Sequence, residues 1–218
     1  MQAPLEIGAS REEAEVAIIL MHGLGATQED FADVALSLIQ AAKPCKWRFI
    51  LPQAPHQPVT INMGVQMPAW YDILDMSQPR AVNWDTVEAS RKSIDALVDQ
   101  EQARQIVLAG FSQGAAMALH VGLRRSDITG ILIMSGYLLE SDVHPCPKMQ
   151  SELPIAVLHG SEDSVVPLVA AQNTVKTLNA AGFSPTLKVY NGTEHSVCDE
   201  EISDVFAWVE ALSHNVDQ

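Results

Sequence analysis

Gln105-Ile-Val-Leu-Ala-Gly-Phe-Ser-Gln-Gly-Ala-Ala-Met-Ala-Leu119 changes character in the middle. Its first part, residues 106–109, is apolar and branched, which is typical of a buried strand. The residues after Gly114 are good helix formers. A strand, a tight Gly-x-Ser-x-Gly turn and a helix together predict a nucleophile elbow. In such an elbow the Ser112 hydroxyl lies at the end of the strand, over the positive N-terminus of the helix.

The two glycines of this turn let the strand and the helix approach each other without a Cβ clash. The pentapeptide by itself fits an ordinary glycine turn equally well. The interpretation therefore depends on whether the other parts of a hydrolytic site follow in the right order.

Strands and helices alternate along the whole chain of 218 residues. Apolar runs predict further strands at residues 15–21, 47–51, 130–135, 154–159 and 186–190. Helical spacing predicts helices at 27–42, from an Asn83 cap to 98, from Pro167 to 181, and at 199–212. The alternation predicts a single α/β domain over 1–218 with a mostly parallel central sheet and helices on both faces. Ligands bind such sheets beyond the C-terminal ends of the strands.

Residues just past those strand ends supply the partners that a nucleophilic serine needs. Of the seven histidines, His195 follows the last strand and precedes the last helix, which completes the order Ser…Asp/Glu…His. His22 and His159 also stand at strand ends, so position alone does not exclude them. The carboxylate between serine and histidine is Asp163, which we favour, or Glu162, which the spacing alone leaves open.

An oxyanion formed during acyl transfer needs backbone N–H donors. One donor is expected from Gln113, the residue after the nucleophile. The other is expected from the glycine-rich loop that follows the first long strand, His22-Gly-Leu-Gly25. Leu24 is the favoured donor there and Gly23 the alternative.

Composition limits the classes of partner. The net charge of −14 argues against binding to nucleic acid and against electrostatic docking on anionic membranes. The three cysteines are odd in number and widely spaced, which favours reduced thiols over disulfides or a zinc site. We expect a cytoplasmic protein without signal peptide, membrane span, stable membrane anchor, metal or organic cofactor. A homodimer is compatible with the sequence, which does not reveal the oligomeric state.

These motifs resemble those of the carboxylesterase and acyl-protein thioesterase family of α/β-hydrolases, and the resemblance covers nearly the whole chain. Besides the glycine-rich loop and the elbow, the matching segments are Pro52-Gln-Ala-Pro55, Pro58-Val-Thr-Ile-Asn62, Ala69-Trp-Tyr-Asp-Ile73, His159-Gly-x-x-Asp163-x-Val-Val-Pro167 and Glu194-His-Ser-Val197. The resemblance implies an α/β-hydrolase fold. It also implies a triad of Ser112, Asp163 and His195 and an oxyanion hole made by Leu24 and Gln113.

The sequence departs from the family pattern at two positions. Ala115 stands where a further glycine usually follows the elbow, and its methyl group is expected to be tolerated or to narrow the site. Gln2 stands where membrane-cycling eukaryotic members carry a cysteine for palmitoylation. A bacterial-type carboxylesterase is therefore the nearer likeness.

The proline-containing stretch 53–79 is predicted to be irregular, and a connection of this length is usually functional. The resemblance implies that it forms a flap over an acyl-binding groove. The apolar residues that would line this groove are Ile61, Met63, Val65, Met67 and Trp70. Asp72 is expected to be a structural, hydrogen-bonding acid.

The predicted activity is hydrolysis of a small-molecule acyl ester or thioester through an acyl-enzyme on Ser112. Carboxylesterase is the first interpretation, with acyl-protein thioesterase and lysophospholipase as alternatives. A hydrolase fold retained only for binding is the non-enzymatic rival. Since Gln113 is expected to act through its backbone N–H, its side chain is predicted to be replaceable.

Overall fold

The computed structural model describes residues 2–76, 80–139 and 153–214. Of residue 214 only the backbone is described. Nine strands and five α-helices occur within these ranges. In chain order they are β1 (Leu5–Gly8), β2 (Val16–Met21), α1 (Ala32–Ala41), β3 (Trp47–Leu51), β4 (His56–Val59), β5 (Val65–Pro68), α2 (Trp84–Val98), β6 (Gln105–Phe111), α3 (Gln113–Gly122), β7 (Gly130–Met134), β8 (Ile155–Gly160), α4 (Leu168–Ala180), β9 (Thr186–Tyr190) and α5 (Asp199–His214).

Seven of the strands form the central sheet, in the order β1-β3-β2-β6-β7-β8-β9. β1 runs antiparallel to β3, and the other neighbours pair in parallel. The five inner parallel strands are buried along almost their whole length, as expected for a sheet covered on both faces. The predicted mostly parallel α/β sheet is confirmed.

The order of the strands reverses between β2 and β6. From β2 the chain adds β3 on one side, and it later returns to place β6 on the other side. Met21, the last residue of β2, lies opposite Gly110 near the end of β6. The loops that leave these two strands therefore start side by side, which is the usual position of a ligand site in a parallel sheet.

Apolar side chains pack against both faces of the sheet. On one face, buried residues of α2, α3 and α4 contact the strands. On the other face, α1 and α5 cover residues such as Leu20, Phe49 and Tyr190. The α3 helix is buried along its entire length, which fixes the elbow that precedes it.

The structure corrects the predicted elements in three places. β1 was not expected, and it adds a short antiparallel edge strand to the sheet. The predicted helix at 27–42 begins as a 3₁₀ turn, Gln28–Phe31, before α1. The stretch 53–79, predicted to be irregular, contains the β4–β5 hairpin; its last three residues lie outside the described ranges.

Both strands of this hairpin contain a proline, which has no N–H to donate. Each strand of a two-stranded sheet has an outer edge that pairs with nothing in that sheet. A proline N on such an edge needs no partner, so Pro58 and Pro68 are tolerated in the pairing. Met63 and Gly64 close the turn in the left-handed region, with φ of 56° and 74°.

No helix in the described part of the chain is long and apolar enough to cross a membrane. Cys45 and Cys198 are free thiols, and Cys146 lies outside the described residues.

Candidate active site

Ser112 lies between β6 and α3 in a backbone conformation that a serine rarely adopts. Its φ is 55° and its ψ is −116°. A non-glycine residue in such a region costs about 1–3 kcal/mol and persists only where the surroundings impose it. Here its N–H donates to the Met134 carbonyl at 2.9 Å, while its own carbonyl accepts from the Ala116 N–H. The β6–β7 pairing and the first turn of α3 therefore hold the strained residue in place.

The two glycines of the motif are required because backbones meet there. A Cβ on Gly110 would lie 2.3 Å from the carbonyl of Gly114, and a Cβ on Gly114 would lie 2.2 Å from the Met21 carbonyl oxygen. The predicted close approach of strand and helix is confirmed. It includes a third element, because Gly114 also packs α3 against the end of β2.

Three side chains form a continuous hydrogen-bonded line at the C-terminal edge of the sheet. His195 Nε2 lies 2.9 Å from Ser112 Oγ, and His195 Nδ1 lies 2.7 Å from Asp163 Oδ2. The Asp163 side chain is fully buried, and its Oδ1 accepts from the N–H groups of Val165 and Val166 at 2.9 and 2.8 Å. These two bonds orient the carboxylate. Because a carboxylate accepts, Nδ1 carries the proton and Nε2 is free to accept from the serine.

The other carboxylate and histidines considered from the sequence occupy different environments. Glu162 is exposed, next to the buried Asp163. Burial lowers the pKa of His22, whose Nδ1 donates to the Gly23 carbonyl while its Nε2 accepts from the Ala54 N–H. Burial likewise lowers the pKa of His159, which donates from Nε2 to the Val166 carbonyl. Both imidazoles are neutral structural groups whose ring hydrogen bonds join neighbouring loops.

Phe111 contacts the imidazole of His195 and was not predicted. Their ring centroids lie 4.8 Å apart at an interplanar angle of 42°. On its other side Phe111 packs against Phe31, with centroids 6.1 Å apart. The residue is the first of the two variable positions of the Gly-x-Ser-x-Gly motif, and the motif itself gives no sign that an aromatic ring would contact the histidine.

The residues expected to supply the oxyanion donors line the same cavity as Ser112. Gly23, Leu24 and Gln113 line the cavity together with the serine. Gln113 is the first residue of α3, so its N–H has no acceptor within the helix. In the part of the chain that the structure describes, no protein group accepts from the N–H of Leu24 or Gln113. Whether Leu24 or Gly23 serves as the second donor stays a prediction.

The side chain of Gln113 is not the replaceable group that the sequence suggested. It is buried, its Oε1 accepts from the Trp70 N–H at 2.8 Å, and its Nε2 donates to the Tyr71 carbonyl at 2.8 Å. The elbow thereby fixes the end of the long connection that passes over it. This prediction was wrong because the partners of the side chain lie about 40 residues upstream in the sequence.

A cavity of about 610 Å³ opens above Ser112. Of the five residues predicted to line an acyl groove, Ile61 does so. Met63 and Val65 project from the β4–β5 hairpin and are 95% and 53% exposed. Trp70 is fully buried beneath the site, where its Nε1–H donates to the His22 carbonyl. Met67 does not line the cavity, and its sulfur lies near Gly25 and accepts from the side-chain amide of Asn62.

Other walls of this cavity come from elements that the sequence did not single out. They include Phe31 and Val34 near the start of α1, Ile73 and Met76 before α2, Val165 after Asp163, and Arg80. The Ala115 methyl group does not narrow the cavity, since the residue is fully buried in contact with Gly136. Asp72 is structural, as expected: its carboxylate accepts from the N–H and the hydroxyl of Thr60, both at 2.7 Å.

Comparison with known proteins shows a similarity that covers nearly the whole chain. The model of a family described as phospholipase/carboxylesterase matches residues 2–213. A protein of Gibberella zeae named acyl-protein thioesterase 1 is 33% identical in an alignment that covers 95% of this chain and 94% of the relative.

Two plant structures are similar in fold and sequence. Arabidopsis thaliana SOBER1 superposes with a TM-score of 0.84 at 25% identity, over 91% of this chain and 99% of that one. Zea mays acyl-protein thioesterase 2 superposes with a TM-score of 0.81 at 25% identity, over 96% of this chain and 99% of that one. These relatives come from fungi and plants, so the bacterial type expected from Gln2 stays a prediction.

Proposed function

This chain belongs to the phospholipase/carboxylesterase family, and from that premise we propose that it is a serine hydrolase that cleaves carboxylic esters through an acyl-enzyme on Ser112. The observation that carries the proposal is the line of hydrogen bonds from Asp163 through His195 to Ser112. It ends on the floor of a cavity large enough for a small acyl ester.

In the acylation step, His195 Nε2 takes the proton of the Ser112 hydroxyl as Oγ attacks the ester carbonyl. The oxyanion that forms is stabilised by the N–H groups of Gln113 and Leu24. When the tetrahedral intermediate collapses, the bond to the leaving alcohol breaks and the alcohol receives the proton from His195. Asp163 keeps the proton of the neutral imidazole on Nδ1 and stabilises the imidazolium between the two transfers.

In the second step, water replaces the alcohol. His195 removes a proton from the water, the hydroxide attacks the acyl carbonyl, and the Ser112 ester bond breaks as Oγ recovers its proton. The products are the carboxylic acid and the alcohol. These steps use the side chains and backbone of the protein, and neither a metal ion nor an organic cofactor takes part.

Replacing the nucleophile tests the proposal. We expect Ser112→Ala to lower kcat/KM for p-nitrophenyl butyrate by roughly three or more orders of magnitude, because the nucleophile is removed while substrate binding remains. Ser126→Ala is the matched control, since Ser126 is exposed and remote from the cavity. A fluorophosphonate probe should label the wild-type protein and not Ser112→Ala. Near-normal turnover by this variant, or no labelling of folded wild type, would refute the assignment and favour a binding module.

A thioester substrate is the second candidate, and the fungal relative named acyl-protein thioesterase 1 favours it. The same serine, histidine and oxyanion donors would attack a thioester carbonyl and release a thiol. Turnover of an S-acyl peptide, a lysophospholipid and a short-chain ester by the same preparation separates the thioesterase, lysophospholipase and carboxylesterase alternatives. A kcat/KM for the S-acyl peptide well above that for the ester would move the assignment to thioesterase.

A further inference from the structure

Arg80 brings a positive charge into the lining of the cavity and has no role in the proposed chemistry. Among the described residues that line the cavity, it is the one lysine or arginine. It follows the end of the long connection and precedes α2. In a chain with 27 acidic and 13 basic residues, a cation placed there is unexpected.

Neutral protein groups hold the Arg80 guanidinium. Nη2 donates to the Val165 carbonyl at 2.8 Å, and Nη1 lies 3.4 Å from the Tyr137 hydroxyl. The guanidinium also lies over the Tyr137 ring, 4.6 Å from its centroid. The Tyr137 hydroxyl is fixed in turn by that of Tyr71, at 2.6 Å. The cation is therefore held in one orientation at the cavity wall.

No carboxylate among the described residues pairs with Arg80. Its Nε is buried and has no hydrogen-bond partner there. Arg48, Arg91 and Arg125, in contrast, each form ion pairs with Asp or Glu. A partly buried arginine that is oriented but not neutralised leaves donors for an external anion, and a planar guanidinium suits a carboxylate.

Most of the other residues that line the cavity are apolar. They include Ile61, Ile73, Met76 and Val165, and a hydrogen bond from the Ile61 N–H to the Ile73 carbonyl at 3.1 Å joins two of them. Asp30 also lines the cavity, but its carboxylate accepts from Thr27 beside Phe31, at the start of α1. Apolar walls that lead to a cation suit a short hydrocarbon chain with an anionic end.

We propose that Arg80 is a specificity residue that binds the terminal carboxylate of the substrate's acyl group, so that the preferred substrates are monoesters of short dicarboxylic acids. The inference rests on the proposed hydrolysis at Ser112 and names its substrate class. The acyl carboxylate does not react. The ester bond to the alcohol breaks, water supplies the new hydroxyl, and the products are the alcohol and the dicarboxylic acid.

The test compares two esters that differ only at the far end of the acyl chain, mono-p-nitrophenyl adipate and p-nitrophenyl hexanoate. The measured quantity is the kcat/KM for the adipate ester divided by the kcat/KM for the hexanoate ester. In Arg80→Gln this ratio should fall about ten- to a hundredfold, the loss expected for a charge-assisted hydrogen bond. In Arg80→Lys the ratio should fall less, because lysine keeps the positive charge and loses only the planar guanidinium geometry.

Arg91→Gln is the matched control. It removes the same charge from a partly buried position on α2, where Arg91 pairs with Glu88 and Asp95. The ratio should not change in this variant. An equal loss of kcat/KM on both esters in Arg80→Gln would show that Arg80 only supports the Val165 loop, and unchanged kcat/KM values for both esters would show that it does not meet the acyl chain. Either result overturns the inference.

Binding to the Ser112→Ala protein separates this inference from the proposed function. Calorimetry should show that monomethyl adipate binds more tightly than methyl hexanoate, and that Arg80→Gln in the same background removes the difference. Equal affinities would refute the role of Arg80 even if the wild type hydrolyses both p-nitrophenyl esters. If hydrolysis fails while the preference for monomethyl adipate holds, the proposed function is wrong and the anion site stands.

Discussion

Gln113 shows how one residue of the elbow serves the site with two separate groups. Its backbone N–H is a proposed oxyanion donor, and its side chain makes two hydrogen bonds to the backbone of Trp70 and Tyr71. Both of these residues are fully buried.

We expect Gln113→Ala to lower the free energy of unfolding by about 2–6 kcal/mol. The change removes the acceptor of the buried Trp70 N–H and one donor to the Tyr71 carbonyl, and each lost partner of a buried group costs about 1–3 kcal/mol. Urea denaturation measures the loss. The matched control is Gln172→Ala on the exposed face of α4, where the change should stay within about 0.5 kcal/mol. Equal stability of the two variants would mean that the Gln113 side chain holds nothing.

The proposed catalytic residues could be predicted from the sequence, whereas two other residues of the site could not, and the reason is physical. Ser112, Asp163 and His195 follow strand ends in a fixed order, and strand ends meet at one edge of a parallel sheet. Phe111 and Arg80, which the sequence analysis did not single out, contact groups that are distant from them in sequence. No periodicity or spacing marks such contacts before the fold is known.

At the scale of elements, the contact between α3 and the segment after β7 explains the unusual Ala115. A Cβ on Gly136 would lie 2.4 Å from the Ala115 Cβ and 2.7 Å from Ile133 Cγ2. One of the two facing positions must therefore be small. The methyl group is on the helix in this chain, and the glycine is on the segment that follows β7.

This pairing predicts that the effect of Ala115→Gly changes sign with its background. In the wild-type protein the change should destabilise by roughly 1 kcal/mol, because a glycine weakens the helix. In Gly136→Ala, which is overpacked by about 1–3 kcal/mol, the same change should recover part of the loss by removing the clash. Thermal or urea unfolding of the four proteins forms a double-mutant cycle. Additive effects would refute the contact.

Strands were predictable where the chain is apolar and continuous. β3 and β9 have the predicted bounds, since their runs end at Pro52 and at the Asn191-Gly192 turn. β1 has only four residues, with Leu5 and Ile7 alternating inward, and that pattern is too short to stand out. β4 and β5 contain prolines, and the propensity against a strand there is overcome only by pairing across the turn.

At the scale of the whole molecule, most acidic residues lie at the surface, and Glu201 is an exception. It is 1% exposed near the N-terminus of α5, and neither carboxylate oxygen has a hydrogen-bond partner among the described residues. Burial raises its pKa to about 7, and Asp204 adds to the rise while the Cys198 backbone opposes it. Asp204 is itself bonded to the Tyr190 hydroxyl and to Lys188.

This carboxyl group makes the global stability of the protein depend on pH. Below pH 4.5 Glu201 is protonated in both the folded and the unfolded chain, so its ionisation does not reduce the free energy of unfolding there. Between pH 4.5 and about 7 the unfolded chain releases the proton while the folded protein keeps it, so the free energy of unfolding falls as the pH rises. Above that range the loss is constant, at about 3 kcal/mol.

We expect Glu201→Gln to remove this dependence, because an amide of the same shape cannot ionise. The free energy of unfolding of the variant minus that of the wild type should rise by about 2.5 kcal/mol between pH 5 and pH 8, measured by urea denaturation at each pH. Glu210→Gln, exposed on the same helix, changes the net charge equally and should show no comparable rise. Subtracting the wild type cancels the other titrating groups, so the remaining slope belongs to Glu201. A difference that is constant with pH would mean that Glu201 is ionised in the folded protein, and that a partner or water reaches its carboxylate.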